Sequence, residues 1–196
     1  MGAIWVDPFA SLLRRLAQKH GIKCFIETGT YMGDGARFAA TLFPRVVTIE
    51  ISSEFQQQAI ARSRGRNIEF LLGDSASILP GVVSSLEGTA LFWLDGHAGA
   101  GFFGTGDDNC PLAAELDAIS ASPHPHAIFI DDARAFLAPP PPPFQFERWP
   151  TLHEVLNKAC SRFPYYCVVI SDSILCVPNE MRMDIVEFCN TIRPEI

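Results

Sequence analysis

Chemistry in this 196-residue chain is concentrated where its apolar runs stop. The run Ala127–Ile130 ends in two adjacent aspartates, Asp131 and Asp132, and the run Ala90–Leu94 ends in Asp95, followed by Gly96 and His97. Like charges a few ångströms apart disfavour joint ionisation. The aspartate pair therefore either caps a turn, with one carboxylate solvated, or faces something positive. Three carboxylates offer the hard oxygen ligands that Mg²⁺ or a similar divalent ion takes, completed by water and substrate oxygens. Such an ion would also relieve the repulsion between Asp131 and Asp132. Asp95 and His97 are the candidate catalytic residues, His97 as general base or substrate contact, with a structural hydrogen bond as its alternative role.

Three more apolar runs end in acid. Glu27 precedes "TGTYMGDG", Glu50 follows "RVVTI", and Asp74 with Ser75 follows "IEFLLG". Gly29 and Gly33 permit a tight turn and close approach of a ligand to backbone, just ahead of a helix N-terminus. An acid such as Glu50, some twenty residues beyond the glycines, can accept both hydrogen bonds of a ribose diol. Asp74 and Ser75 are equally suited to capping the next helix.

These residues need elements to hold them. "PFASLLRRLAQKHG" places Leu12, Leu13 and Leu16 on one helical face and stops at Gly21, a glycine C-cap, so residues 1–22 read as an N-terminal helix with its lead. Five short apolar strands then alternate with helices: "CFIET", "RVVTIEI", "IEFLLGD", "ALFWLD" and "AIFIDD". Strands apolar on both faces and alternating with helices mean a parallel sheet covered on both sides. The stretch 138–150 contains five consecutive prolines, which exclude helix and central strand and favour a stiff polyproline II segment. It serves as a rigid connector or as a ligand for SH3-like domains. Beyond it come a helix, "TLHEVLNKACSRF", then "YYCVVIS" and "ILCVP", separated only by a tight turn around Asp172, which forces an antiparallel hairpin. A last helix spans "EMRMDIVEFCNTI". Residues 1–196 are expected to form a single domain.

Five βα units ending in an antiparallel hairpin resemble the Rossmann-like class I methyltransferase fold, whose last strand inserts antiparallel beside the fifth. The resemblance implies a seven-stranded α/β sheet of order 3-2-1-4-5-7-6. Glu27, Gly29 and Gly33 resemble the methyltransferase E/D-x-G-x-x-x-G pattern, and Tyr31 stands where a nicotinamide fingerprint would have its second glycine. Asp95-Gly96-His97 together with Asp131-Asp132 resembles a group of metal-dependent O-methyltransferases that includes the macrocin-type sugar enzymes. In that group an Asp-Gly-x-His or Asp-Gly-Asp stretch follows strand four and an Asp-Asp pair follows strand five. The likeness covers roughly Cys24 to Ala133, and the histidine here comes one residue early.

What the resemblance implies is S-adenosylmethionine (SAM) as cofactor. Glu27 would lie near its amino-acid end, Glu50 at the ribose, and Asp74 with Ser75 at the adenine amino group. Gly29, Thr30, Tyr31, Gly33, Ile51 and Asp95 would make further cofactor contacts. Asp95, Asp131 and Asp132 would hold the metal, Mg²⁺ or similar, and the acceptor would be an oxygen of a small molecule. After the motif, "AGAGFFGTGDDNCP" forms a loop that either closes over a substrate with Phe102 and Phe103 as its apolar floor or is a simple surface loop, while Asp107, Asp108 or Asn109 caps the following helix. Arg134 either binds an anionic substrate group or balances Asp132. His124 and His126 read as surface turn residues and His153 as a helix-surface residue, and none is assigned a role.

Composition agrees with this reading. Hydrophobic residues make up 48% and charged residues 19%, which describes a globular chain. A net charge of -7 argues against a nucleic-acid partner, whose binders carry a basic patch. No apolar run is long enough for a membrane span and no basic-then-apolar leader is present, so a cytoplasmic location is expected. The six cysteines include no Cys-x-x-Cys pair and read as small buried hydrophobes, with Cys110 the one in a glycine-rich loop. Nothing in the sequence sets an oligomeric state. The rival readings are a binding or regulatory module that keeps the fold without catalysis, a metal enzyme that dispenses with SAM, and a nicotinamide oxidoreductase. The glycine spacing, the hairpin and the lack of a Tyr-x-x-x-Lys pair count against the last.

Overall fold

A computed structural model describes residues 4–98, 110–138, 140 and 144–192. The glycine-rich loop carrying Phe102, Phe103, Asp107, Asp108 and Asn109 lies outside the described residues, as do four of the five consecutive prolines.

Each expected strand forms: β1 (Cys24–Thr28), β2 (Arg45–Glu50), β3 (Ile68–Leu72), β4 (Ala90–Leu94), β5 (Ala127–Ile130), β6 (Tyr165–Ile170) and β7 (Ser173–Pro178). They build one seven-stranded sheet in the order β3-β2-β1-β4-β5-β7-β6. Strands β1 to β5 run parallel, β7 pairs antiparallel with β5, and β6 pairs antiparallel with β7. Among the described residues the α-helices are α1 (Phe9–His20), α2 (Asp34–Ala39), α3 (Ser53–Arg62), α4 (Ser75–Ser84), α5 (Leu112–Ser120), α6 (Arg134–Leu137), α7 (Leu152–Ala159) and α8 (Arg182–Ile192). Helix α1 ends where Gly21 turns left-handed, as its sequence predicts.

The period of two along each strand sorts side chains into two cores. Ala90, Phe92 and Leu94 of β4 face a cluster with Leu79, Leu116 and Val155. Leu91 and Trp93 face a second cluster with Leu13, Leu16 and Ile185. The central strands β1, β4 and β5 are buried along their whole length. Nearly buried Asp184 of α8 receives hydrogen bonds from Lys19 and His20 and fastens α8 to α1.

One detail departs from the sequence reading. A 3₁₀ turn, Phe146–Arg148, forms inside the stretch expected to lack helix. It begins after the prolines and needs only the i→i+3 bonds Arg148 N–H to Gln145 and Trp149 N–H to Phe146. Helix α4 runs through Pro80, whose exposed position lets the ring face solvent.

Backbone approach is tightest where β1 ends. Gly29 has φ 83°, and a Cβ there would overlap the carbonyl oxygen of Asp95. Gly65 has φ 76° with nothing within 4 Å of such a Cβ. Gly65→Ala should therefore cost only the left-handed backbone penalty, roughly 1 to 2 kcal/mol. Gly29→Ala should cost about 1 to 3 kcal/mol more through overpacking. Urea unfolding of the two variants checks this, and equal losses would show that the β1–β4 approach is not tight.

Candidate active site

The acids that end β1, β2 and β3 lie along the carboxyl edge of adjacent strands, each held by local structure. Glu27 is buried, and its Oε2 accepts a 2.7 Å hydrogen bond from the Thr48 hydroxyl, which is itself 2.7 Å from the Thr30 hydroxyl. Burial, aided by the charges of Asp95, Glu50 and Asp34 and opposed by the Thr48 bond, raises the Glu27 pKa to about 8. Both Glu50 oxygens hold backbone: Oε2 accepts the Tyr31 N–H at 2.8 Å and Oε1 the Ser52 N–H at 2.9 Å. Glu50 thus braces the glycine-rich turn, and each oxygen keeps a lone pair for a diol. Tyr31, at φ 46°, is 54% exposed, and its ring packs 5.0 Å from that of Phe55. Ile51 is exposed as well. Thr30 is buried against Thr48, so it serves the turn rather than presenting its hydroxyl outward.

Asp74 caps α4: Oδ1 accepts the Ala76 N–H at 3.1 Å and Oδ2 the Ser77 hydroxyl at 3.0 Å. The capping role weighed from the sequence is the one observed, and Asp74 remains exposed at the rim. Ser75 is buried beneath it.

Beyond β4 and β5 the structure gathers Asp95, His97 and Asp132, whose nearest ligand atoms all lie within 4.8 Å of one another. Asp131, expected in this set, is not part of it. Its N–H bonds Leu94 O at 3.1 Å and continues the extended register of β5. By alternation its buried side chain falls on the side of Ala127 and Phe129, in the second core. Asp132 breaks the register with φ 51° and turns toward His97.

The β6–β7 turn fixes that break. The Ala133 N–H bonds Asp172 O at 2.8 Å, and the Arg134 N–H bonds Asp172 Oδ1 at 2.9 Å. The Arg134 guanidinium pairs with Asp132 Oδ1 at 2.7 Å and with the Asp172 carboxylate. Of its two candidate roles, Arg134 therefore fills the balancing one.

His97 is enclosed, its ring edge-on to Phe136 and Trp149 at centroid distances of 5.6 and 5.5 Å. Its Nε2 lies 3.5 Å from Asp132 Oδ2, an ion-pair separation too long for a good hydrogen bond, and finds no hydrogen-bond partner among the described residues. Burial works to lower its pKa, but Asp132 and the charges of Asp95 and Glu115 prevail and raise it. The reverse holds for Asp132, lowered chiefly by His97 against burial. Asp95 is pushed up to about 7 by burial, with His97 opposing and Asp131 and Asp132 adding repulsion.

Glu115 escaped the sequence reading. It is 1% exposed in the first turn of α5, and a Cβ on Gly96 would lie 3.2 Å from its Oε1 and 3.1 Å from the Thr28 hydroxyl. Burial raises its pKa against the pull of the Ser75 and Thr28 hydroxyls. A signal was present: Glu115 lies three residues after Leu112 and four before Ile119, on the apolar face of the helix. His126 is a second correction. It is fully buried, its Nδ1 accepts the Ala90 N–H at 3.0 Å, and burial lowers its pKa to about 4, so it is a core histidine and not a surface one. His153 rides exposed on α7 beside Asn157, as expected. Cys110 is buried in the first core.

The donor set fits a divalent ion. Two carboxylates and an imidazole converge, the Nε2 lacks a partner among the described residues, and burial with the neighbouring aspartates raises the Asp95 pKa to about 7, so a cation would be favoured there.

No family model matches the chain, and no curated protein does. Solved structures do. The O-methyltransferase TomG from Streptomyces achromogenes, involved in tomaymycin synthesis and in complex with SAM, superposes with a TM-score of 0.60 at 17% identity, covering 89% of this chain and 81% of that one. An O-methyltransferase from Bacillus cereus in complex with SAH gives 0.61 at 16% identity over 88% and 82% of the two chains. The SAH-bound methyltransferase PaMTH1 of Podospora anserina gives 0.56 at 16% identity over 89% and 80%. With the strand order and the terminal hairpin, these likenesses establish that the chain has the Rossmann-like class I methyltransferase fold.

Proposed function

We propose that this protein is a SAM-dependent methyltransferase that acts on an oxygen of a small-molecule acceptor, with a divalent cation held by Asp95, His97 and Asp132. The observation that carries the reading is the meeting of two acidic sets at one edge of one sheet. Glu27, Glu50 and Asp74 end β1, β2 and β3, and the Asp95–His97–Asp132 group stands beside them past β4 and β5. Ligands of open α/β sheets bind at that edge.

The chain's own residues explain why SAM suits it. A sulfonium and an ammonium are cationic, and the carboxylates at Glu27, Glu50 and Asp95 favour such a ligand over a pyrophosphate. SAM would supply the methyl group for in-line transfer from sulfur to the acceptor oxygen, and the chain's residues would contribute mostly through positioning and the field of the site. A bound divalent ion would orient two acceptor oxygens and lower the pKa of the attacking hydroxyl. Asp95 would hold the ion through one oxygen, and its second oxygen is the candidate to take the hydroxyl proton. His97, its pKa raised by Asp132 and the charges of Asp95 and Glu115 against burial, holds its proton more tightly without an ion and is weakened as a base. It serves as a ligand once its proton is displaced. An imidazole nitrogen beside two carboxylates also moves the preference from Mg²⁺ toward Mn²⁺ or a similar transition ion.

Calorimetric titration tests cofactor and ion separately. SAM should bind wild type, and Glu50→Ala should weaken it about tenfold or more, the loss of one or two charge-assisted hydrogen bonds. Asp95→Asn and Asp132→Asn should each abolish Mn²⁺ binding while SAM affinity persists. Asp131→Asn should change Mn²⁺ affinity less than about threefold, whereas His97→Ala should lower it at least about tenfold. The opposite ranking of His97 and Asp131 would return the site to three aspartates. Absence of methyl transfer to any hydroxylated acceptor, with SAM and Mn²⁺ both bound, would favour a non-catalytic binding protein.

Proton linkage gives an independent check. Asp95 near 7 and the raised His97 both hold protons at lower pH, and an ion must displace them. Mn²⁺ affinity should therefore climb as pH rises through about 7, with proton release measurable from the dependence of the binding heat on buffer ionisation. Affinity flat from pH 6 to 8, a window of roughly one unit either side, would remove Asp95 and His97 from the ligand set.

A further inference from the structure

A second cluster of reactive side chains lies away from the carboxylate edge. Cys160, Cys167 and Cys176 carry free thiols and meet where α7 packs on the hairpin. Cys160 caps the C-terminal end of α7, and Cys167 sits in the middle of the edge strand β6. Their sulfurs are 3.5 Å apart. Cys176 is the register partner of Cys167 across the β6–β7 pair and is fully buried. Cys160 and Cys167 are both only half-buried, so solvent reaches the pair from outside.

The three thiols are not equivalent. Hydrogen bonds from Cys176 first, and from Cys160, lower the Cys167 pKa against the opposing effect of burial. The same contacts and burial raise the other two. A thiol that titrates early, is partly exposed and has a second thiol beside it combines the features that make cysteines oxidise selectively.

We propose that Cys160 and Cys167 form a peroxide-reactive dithiol that closes to an intramolecular disulfide, with Cys176 buried opposite Cys167 across the β6–β7 pair. In the first step the Cys167 thiolate attacks one oxygen of a hydroperoxide such as H₂O₂. The O–O bond breaks, the leaving oxygen takes a proton to depart as water, and Cys167 becomes a sulfenic acid. In the second step the Cys160 sulfur attacks the sulfenic sulfur, and its proton leaves with the departing hydroxyl as a second water. Two thiols and one H₂O₂ thus yield one disulfide and two waters. Cys160 rather than Cys176 is the resolving thiol because it lies outside the sheet, at a helix end free to close the gap. Cys176 is held by strands on both sides, β5 and β6. The crosslink ties the end of α7 to the edge strand and leaves Asp95, His97 and Asp132 untouched.

Peptide mapping decides between the pairings. Native protein is treated with one equivalent of H₂O₂, alkylated and cut with trypsin, which leaves Cys160 on residues 159–162 and both Cys167 and Cys176 on residues 163–182. The expected product joins those two peptides, and a further cut before Asp172 keeps the link with Cys167. Dithiothreitol should restore all six alkylatable thiols. Cys160→Ser should stop at a Cys167 sulfenic acid trapped by a cyclic 1,3-dione, and Cys189→Ser, on α8, should form the link like wild type. A link confined to 163–182, six free thiols after peroxide, or loss of two thiols in Cys160→Ser would each overturn the proposal.

Discussion

Negative charge collected at one edge of the sheet, with few cations to balance it, is the constraint to which the rest of the structure answers. Glu27, Asp95, Glu115 and Asp131 are buried or nearly so, while among the described residues His97 and Arg134 turn to Asp132 and Arg37 and Arg62 pair with Asp34. A buried carboxylate without a partner shifts its pKa upward rather than bear the desolvation of its charge. The raised Glu27, Asp95 and Glu115 are that response. Such a site costs stability when empty and gains most from a cationic ligand. The two apolar cores, one on each face of a sheet whose central strands are fully buried, offset that cost.

The antiparallel hairpin belongs to the same arrangement. Its turn residues Ser171 and Asp172 both have positive φ, and Asp172 offers its carbonyl to Ala133 and its carboxylate to Arg134. These bonds satisfy backbone donors just past Asp132 at the point where the chain leaves β5. The hairpin thereby stabilises the left-handed Asp132 and sets its carboxylate toward His97 while Asp131 stays in register. Two neighbouring aspartates that would repel on one face are instead divided between two.

Much of this was legible in the sequence because it rests on local patterns. Apolar strands ending in acid, the Gly21 cap and the short connection at Asp172 each follow from residue types at fixed spacing, and the sheet order follows once the hairpin is recognised. The division of Asp131 from Asp132 was not legible, since it depends on one dihedral angle held by bonds from a strand forty residues on. Asp74 looked suited to a cap or to a ligand, and only the Ala76 and Ser77 contacts show the cap. His126 sits among prolines in a stretch that reads as a turn, yet the Ala90 N–H at the start of β4 needs an acceptor and finds its Nδ1. Glu115 was hidden for another reason: a lone acid on an apolar helix face has meaning only when the opposite wall, here Gly96, Thr28 and Ser75, is known to be polar.

The early histidine has a structural consequence. With Gly96 alone between Asp95 and His97, the chain turns back over Thr28 and Glu115 at a spacing that leaves little room for a Cβ. The imidazole is directed inward, edge-on to the packed pair Phe136 and Trp149, with Nε2 on the Asp132 side. Both aromatic residues come from chain beyond the aspartate pair, so the shell around His97 is completed by the same segment that supplies Asp132. An imidazole in edge contact with two rings that themselves pack 5.7 Å apart, and left one open nitrogen, presents a donor atom in a fixed place. Fixed placement is what a ligand requires, and a raised pKa, a handicap for a base, is only a proton to be displaced for a ligand. The shortened motif therefore favours His97 as part of the ion site over His97 as the group that takes the acceptor's proton.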